Sequence, residues 1–91
     1  MFKQHTNVVL RKTNIQKKDL FSVTKKQEVV DARHLLFYLC KDSGISISYI
    51  QKYLKEYGLD ITHSTIIYGV KKISNMMKAD KFVNDFINSL A

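Results

Sequence analysis

The sequence predicts an all-α protein, one helical domain over residues 1–91 with five or six short helices. Proline is absent and glycine occurs only three times, so few residues interrupt helices. Apolar residues recur at spacings of three and four, which is the period of an amphipathic helix. A chain of 91 residues, 45% of them hydrophobic, has room for one modest core.

The first third of the chain predicts one helix, a turn and a loop. Residues 4–13 have the pattern of a first helix. Asp19 is expected to cap a short turn that buries Leu20 and Phe21. The polar, basic stretch over residues 23–28 then predicts a loop.

The middle of the chain predicts the most buried helix. Apolar residues crowd the stretch from Glu28 to Asp42, and Gly44 is expected to end this helix in the left-handed conformation. Cys40, the only cysteine, lies among apolar neighbours and is predicted to be a small buried hydrophobe. A single cysteine excludes an internal disulfide and a cysteine-based metal site.

The second half predicts three more helices. Ser46 can cap a helix that Gly58 stops, and a stronger apolar stripe from Ile66 onward marks a helix over residues 62–78. Asp80 is expected to cap a last helix, whose apolar residues share one face: Phe82, Val83, Phe86, Ile87 and Leu90. Two helices joined through Gly58 suit a helix-turn-helix over about residues 46–78.

Four hydrogen-bonding side chains stand at the head of the second of these helices: Thr62, His63, Ser64 and Thr65. The apolar stripe from Ile66 onward would anchor the helix from behind and leave this first turn projecting. A helix N-terminus offers N–H groups and a positive dipole end to phosphates. Hydroxyls and an imidazole can also read base edges in the major groove. The alternative is that Thr62 is only an N-cap and the other three are solvated.

The charge of the chain points to an anionic partner. The net charge is +7, and residues 1–41 hold nine basic against three acidic side chains. Nucleic acid is the most common partner of so basic a small domain, ahead of an anionic membrane or an acidic protein. Simple solvation of the surface is the other interpretation.

The stretch DITHSTIIYGVKKI (60–73) resembles the signature of the C-terminal DNA-binding domain of the bacterial replication initiator DnaA. In that family an Asp-His-Thr-Thr-Val run opens the recognition helix, and Thr62 takes the place of the Asp. Three further stretches resemble family motifs in the same order: DLFS (19–22), DARHLLFYLCKD (31–42) and SISYIQKYL (46–54). The resemblance covers approximately residues 15–73.

This resemblance implies a Trp-repressor-like helix-turn-helix that binds double-stranded DNA. His63, Ser64 and Thr65 would lie in the major groove, and Thr62 would cap the helix and approach a base. The residues that the resemblance and the basic charge place at phosphates or the minor groove are Lys25, Lys26, Gln27, Arg33, Lys41, Ser46 and Ser48.

Departures from the family pattern limit what is carried over. The family's minor-groove arginine falls at Gln27, so a neighbouring lysine is expected in or near that groove. The turn KEYGLDI is longer than the family's Gly-Gly-Arg connection. The nonameric initiator box is therefore not assumed as the target. The sequence also contains no Gly-rich Lys-Ser/Thr phosphate loop, so ATP hydrolysis is not expected.

We therefore expect a cytoplasmic, sequence-specific DNA-binding protein in replication control or transcription regulation, as in a phage or plasmid accessory. No cofactor, metal, small-molecule substrate or membrane is expected. His5, His34 and His63 are scattered singly, without partners at catalytic spacing, so the chain is not expected to be an enzyme.

The alternative is a non-catalytic interaction module that binds an acidic partner or forms a homodimer. The last helix is one candidate surface. The other is a row of tyrosines spaced by four, which lie on one side of a helix: Tyr49, Tyr53 and Tyr57. These tyrosines would otherwise pad the edge of the core.

Overall fold

The computed structural model describes residues 1–90 and is all-α, as predicted. Its six helices are α1 (Phe2–Thr13), α2 (Lys17–Leu20), α3 (Gln27–Asp42), α4 (Ile47–Glu56), α5 (His63–Ala79) and α6 (Lys81–Asn88). Over the same residues, no helix combines the length and the apolar character needed to cross a bilayer.

Three helices begin at the residues whose side chains predict a cap. The hydroxyls of Ser46 and Thr62 accept from the backbone N–H three residues further on, at the starts of α4 and α5. The Asp80 carboxylate accepts from two backbone N–H groups of α6. Each side chain satisfies donors that the first turn of a helix leaves unpaired.

Two glycines end helices as expected. Gly44 has φ +99° and Gly58 has φ +94°, a region that side chains rarely tolerate. After each glycine, the next backbone N–H returns to a carbonyl five residues earlier, from Ile45 to Cys40 and from Leu59 to Leu54. This is the Schellman arrangement, and it turns the chain sharply on both sides of α4.

Two expectations about the first third of the chain are wrong. Asp19 lies inside α2, whose N-cap is Gln16, and no side chain caps that helix. Helix α3 begins at Gln27, so the loop before it is shorter than predicted. The Gln27 side chain donates to Asp31 at 2.8 Å, a contact between positions four apart on one helix face, which favours the earlier start.

Helix α3 is the centre of the fold and packs against α1, α2, α4 and α5. Leu36, Phe37 and Cys40 on this helix are almost completely buried. Helix α5 approaches it closely at Gly69, where an added Cβ would lie 2.7 Å from Cδ2 of His34. The absence of a side chain at Gly69 therefore sets the distance between the central helix and α5.

The tyrosines of α4 and its C-cap, Tyr57, divide into two groups. Tyr53 and Tyr57 are half-buried, and their rings stack with those of Phe2 and Phe21 at centroid distances of 5.1 and 4.7 Å, respectively. They therefore pad the edge of the core and attach α1 and α2 to α4. Tyr49 keeps 59% of its surface exposed.

The last helix buries only part of its predicted apolar face. Ile87 is buried, whereas Phe82 and Phe86 are 87% and 47% exposed. The sequence places these apolar residues on one face of α6, but only part of that face packs against the rest of the fold. Two aromatic side chains are left at the surface as a result.

Candidate nucleic-acid interface

Helices α4 and α5 form the predicted helix-turn-helix, and the turn between them is fixed at two points. Leu59 is buried in the core, and the Gln51 side chain donates to the Ile61 carbonyl at 2.8 Å. These contacts hold the turn in place, although it is longer than the Gly-Gly-Arg connection of the family. The position of Thr62 at the start of α5 is therefore defined by the turn before it.

The head of α5 has the arrangement that the sequence predicts. Residues 62–65 are all exposed, whereas Ile66 is fully buried. The Thr62 hydroxyl accepts from the Thr65 N–H at 3.3 Å and lies 3.0 Å from the Thr65 hydroxyl. The first turn is thus capped, rigidly anchored from behind and open to solvent on its leading side.

Arg33 is directed into the protein. Its Nε donates to the carbonyl of Leu20 at 3.0 Å, and its Nη2 donates to the carbonyls of Ser22 and Thr24, the latter at 2.8 Å. Partial burial lowers the pKa of the Arg33 guanidinium, which nevertheless stays charged because its pKa in water is so high. The guanidinium that the resemblance assigns to a phosphate donates here to backbone carbonyls of the protein itself.

The segment that Arg33 holds is the basic loop, residues 22–26. Within it, the Ser22 hydroxyl accepts from the Thr24 N–H and the Thr24 hydroxyl accepts from the Lys26 N–H, each at 3.4 Å. Such local bonds give a loop a fixed turn conformation. Lys25 and Lys26 are exposed on this framework, so their ammonium groups are presented to solvent from an ordered backbone.

A cleft of about 330 Å³ lies between α3 and α5 and joins parts of the predicted site. Gln27 and Arg33 line it on the α3 side, and Thr65, Tyr68 and Lys72 line it on the α5 side. The start of α3, which follows the basic loop directly, therefore faces the same cleft as Thr65, the last residue of the candidate recognition turn (residues 62–65).

Tyr68 and Lys72 are site residues that the sequence reasoning missed. Tyr68 is 59% exposed, and the Lys72 ammonium lies 5.9 Å from the centroid of its ring. The signal was present in the spacing, because Thr65, Tyr68 and Lys72 follow one another at three and four residues along one helix face.

Lys41, Ser46 and Ser48 lie apart from this cleft. All three are exposed around the junction of α3 and α4, where the Ser46 hydroxyl already caps α4. They form a second group of polar residues, near the N-terminus of the first helix of the helix-turn-helix.

The histidines and the cysteine show no arrangement typical of a metal or catalytic site. Among residues 1–90, no three His, Cys, Asp or Glu side chains gather where they could hold a metal ion. His5 hydrogen-bonds with the Ser43 hydroxyl at 3.0 Å, and His34 is buried against α5. Burial raises the pKa of the Cys40 thiol to about 12, which keeps it protonated.

Comparison with known proteins agrees with this geometry. Residues 4–73 match the family model of the bacterial DnaA protein helix-turn-helix. The chromosomal replication initiator protein DnaA of Borreliella afzelii is 33% identical over 84 residues, and that of Leptospira biflexa is 27% identical over 84 residues.

The aligned region covers 91% and 92% of this chain, but only 16% and 18% of those two relatives. The similarity is therefore to one small part of a much longer protein, and residues 4–73 of this chain match the helix-turn-helix of that protein. With the family match covering all of α4 and the first eleven residues of α5, to residue 73, the chain belongs to the DnaA C-terminal helix-turn-helix family.

Proposed function

We propose that this chain binds double-stranded DNA in a sequence-specific manner and inserts the head of α5 into the major groove. The observation that carries the proposal is the exposed, hydrogen-bonding turn at residues 62–65, which Ile66 anchors from behind. Family membership supports DNA binding in replication.

Base reading is assigned to the side chains of this turn. His63 and Ser64 project from the first residues of α5, where their donors and acceptors can meet base edges. Thr62 and Thr65 share a hydrogen bond, so they read bases as a coupled pair whose geometry the cap fixes. Tyr68 and Lys72 extend the same face toward the flanking backbone.

Phosphate binding is assigned to the exposed basic side chains on both sides of α5. Lys25 and Lys26 approach the duplex from the basic loop, with one of them in or near the minor groove in place of the family's arginine. Lys41, with the hydroxyls of Ser46 and Ser48, contacts the backbone from the α3–α4 junction. These contacts supply most of the affinity and make it depend steeply on salt.

Arg33 has a different role in this proposal. Its guanidinium holds the basic loop in shape, so it acts on DNA through Lys25 and Lys26. Gln27 lines the cleft at the start of α3 and contributes polar contacts there.

As a biological role we propose replication control or transcription regulation, by a cytoplasmic protein that occupies DNA sites without hydrolysing ATP. A phage or plasmid accessory and a competitor for initiator sites are both consistent with it. The sequence has no phosphate-binding loop, and the matched portion of its relatives is their DNA-binding domain.

The experiment is selection of bound sites from a random duplex library by the purified chain at about 150 mM salt. The proposal expects one enriched motif. The variants His63→Ala and Thr65→Ala should weaken binding to that motif by about 1–3 kcal/mol and hardly affect random DNA. Retention of DNA without enrichment would show a nonspecific binder, and loss of both kinds of binding in His63→Ala would contradict the base-reading role.

A matched variant tests the phosphate contacts. The double variant Lys25→Ala, Lys26→Ala should weaken binding to specific and random DNA alike. It should also reduce the steepness of log K against log salt concentration by about two. Lys55→Ala, an exposed lysine at the end of α4, should leave the slope unchanged.

A further inference from the structure

An apolar groove lies at the end of the fold distant from the recognition turn. It has a volume of about 490 Å³ and lies between α3, α5 and α6. Leu35 and Met76 belong to its walls, and Phe82 and Phe86 line it from α6. The groove and these aromatic side chains occupy a single surface, the α6 surface.

The α6 surface exposes much of its apolar area. Phe82 is 87% exposed, Phe86 47% and Met76 40%, and the two phenylalanines lie one helical turn apart. At roughly 200 Å² for each ring, the two together present on the order of 250 Å² to water. Met76 and the apolar walls of the groove add to this area, and large contiguous apolar patches mark sites where another macromolecule binds.

The charges around this surface are complementary to one another. Glu28 and Asp31 are exposed and line the groove on α3, although the chain as a whole is strongly basic. Lys81, directly before the projecting Phe82, and Lys78, four residues before it, are both exposed. One surface thus contains an aromatic side chain with basic neighbours and an apolar groove with an acidic rim.

We propose that the α6 surface is a homodimer interface. A twofold axis would place Phe82 of each copy in the groove of the other and bring Lys81 close to Glu28 of the partner. Such a self-complementary patch is what a symmetric dimer requires. The two rings supply only part of the approximately 800 Å² that each partner buries in a standard stable interface, so we expect a weak, reversible dimer.

The interface leaves the recognition turn accessible. Met76 follows His63 by thirteen residues along α5, about 20 Å at 1.5 Å per residue. Both recognition turns therefore remain open in the dimer, which would read two half-sites.

Sedimentation equilibrium of the whole chain tests the interface, from about 1 µM to about 200 µM, a range that brackets micromolar affinity. The unmodified protein should dimerise, and Phe82→Ser should raise the dissociation constant by at least about tenfold, as loss of a central anchor does. Phe82 is largely exposed, so this variant should keep the circular dichroism and melting temperature of the parent.

Tyr49→Ser is the matched control, because Tyr49 is also an exposed aromatic but lies on α4. It should leave association unchanged. A monomer at every concentration would overturn the proposal, and so would a dimer that Tyr49→Ser disrupts and Phe82→Ser does not.

A charge exchange tests the pairing itself. Lys81→Glu and Glu28→Lys should each weaken the dimer, and the double variant should restore it. Failure of the double variant to recover association would overturn the twofold pairing. None of these measurements involves DNA, so their outcome is independent of the proposed DNA-binding function.

Discussion

Arg33 and Thr24 are joined across nine residues, because the Arg33 Nη2 donates to the Thr24 carbonyl at 2.8 Å. The same guanidinium also donates to the carbonyls of Leu20 and Ser22. A planar fork of donors can hold several carbonyls at once, which a lysine ammonium on a flexible stem does not reproduce. The conformation of the basic loop thus depends on the shape of one side chain as well as on its charge.

Arg33→Lys should therefore weaken DNA binding even though it conserves the charge. The loop loses its framework, so the affinity should fall about as far as in the Lys25→Ala, Lys26→Ala variant. In the background that lacks Lys25 and Lys26, Arg33→Lys should add little further loss. Fluorescence anisotropy on specific and random duplexes measures these affinities for a double-mutant cycle.

Two outcomes would contradict a positioning role for Arg33. Normal binding by Arg33→Lys would show that only its charge matters, as for a direct phosphate contact. Full additivity with the two lysine variants would show that Arg33 acts independently of the loop. Thermal melting of each variant separates loss of binding from loss of folding.

Gly69→Ala should destabilise the protein although alanine favours helices. The new Cβ would lie 2.7 Å from His34 Cδ2 and 2.9 Å from Phe37 Cδ2, both inside the packed core. Alanine contributes up to about 1 kcal/mol of helix propensity, and overpacking costs about 1–3 kcal/mol, so a net loss of about 1 kcal/mol is expected.

Urea unfolding measures this change in the free energy of unfolding. Asn75→Ala, at an exposed position of the same helix, is the control and should be neutral or slightly stabilising. A Gly69→Ala variant that is more stable than the parent would show that α3 and α5 separate easily.

Thr62→Ala should lower the free energy of unfolding by about 1 kcal/mol, because the hydroxyl caps α5 through the Thr65 N–H. Thr62→Asp should keep the cap, since a carboxylate accepts the same hydrogen bond and favours a helix N-terminus. It also restores the residue of the family pattern, so it should change the preferred DNA sequence. Ser64→Ala is the control for stability and should have little effect.

These substitutions are checked by thermal unfolding and by repeated site selection. Equal stability of Thr62→Ala and the parent would mean that the cap contributes nothing. An unchanged selected motif for Thr62→Asp would remove Thr62 from the base-reading group.

Stability should fall on acidification because of His34. Burial lowers the pKa of His34, Lys72 and Arg33 lower it further, and Asp31 opposes them. As the pH falls, the His34 imidazole is therefore protonated first in the unfolded chain, near pH 6.5, while the imidazole in the folded protein stays neutral. The contribution to stability is complete above about pH 6.5 and is lost as the pH falls below it toward the folded pKa.

Melting temperatures at about pH 7.5 and about pH 5 test this effect on the two sides of the ordinary histidine pKa. Burial also lowers the pKa of His5, so the comparison is made in a His5→Gln background. His34→Leu should reduce the dependence on pH in that background. An undiminished dependence would show that other groups cause it.

Features that depend on neighbours in the chain could be predicted from the sequence. The caps at Ser46, Thr62 and Asp80 and the stops at Gly44 and Gly58 are local, because a helix end is satisfied by residues within a few positions of it. The apolar periodicity of α5 predicted in the same way that its first turn is exposed and that Ile66 anchors the helix behind it.

Features that depend on packing between distant segments could not be predicted. Nothing in the neighbourhood of Arg33 indicates that its guanidinium reaches carbonyls nine to thirteen residues earlier. Tyr68 and Lys72 share a face of α5 with Thr65, but the cleft that they line exists because α3 lies beside α5, at a distance that Gly69 permits. The sequence places Phe82 on the apolar face of α6, and only the packing of that helix left its ring 87% exposed.

The sequence by itself therefore determined the helix caps and glycine stops, the family, and the turn that is proposed to meet DNA. The tertiary structure decided which charged side chains stay at the surface and which apolar ones do. The physical reason is that hydrogen bonds at helix ends form between chain neighbours, whereas burial is set by the simultaneous packing of all the helices.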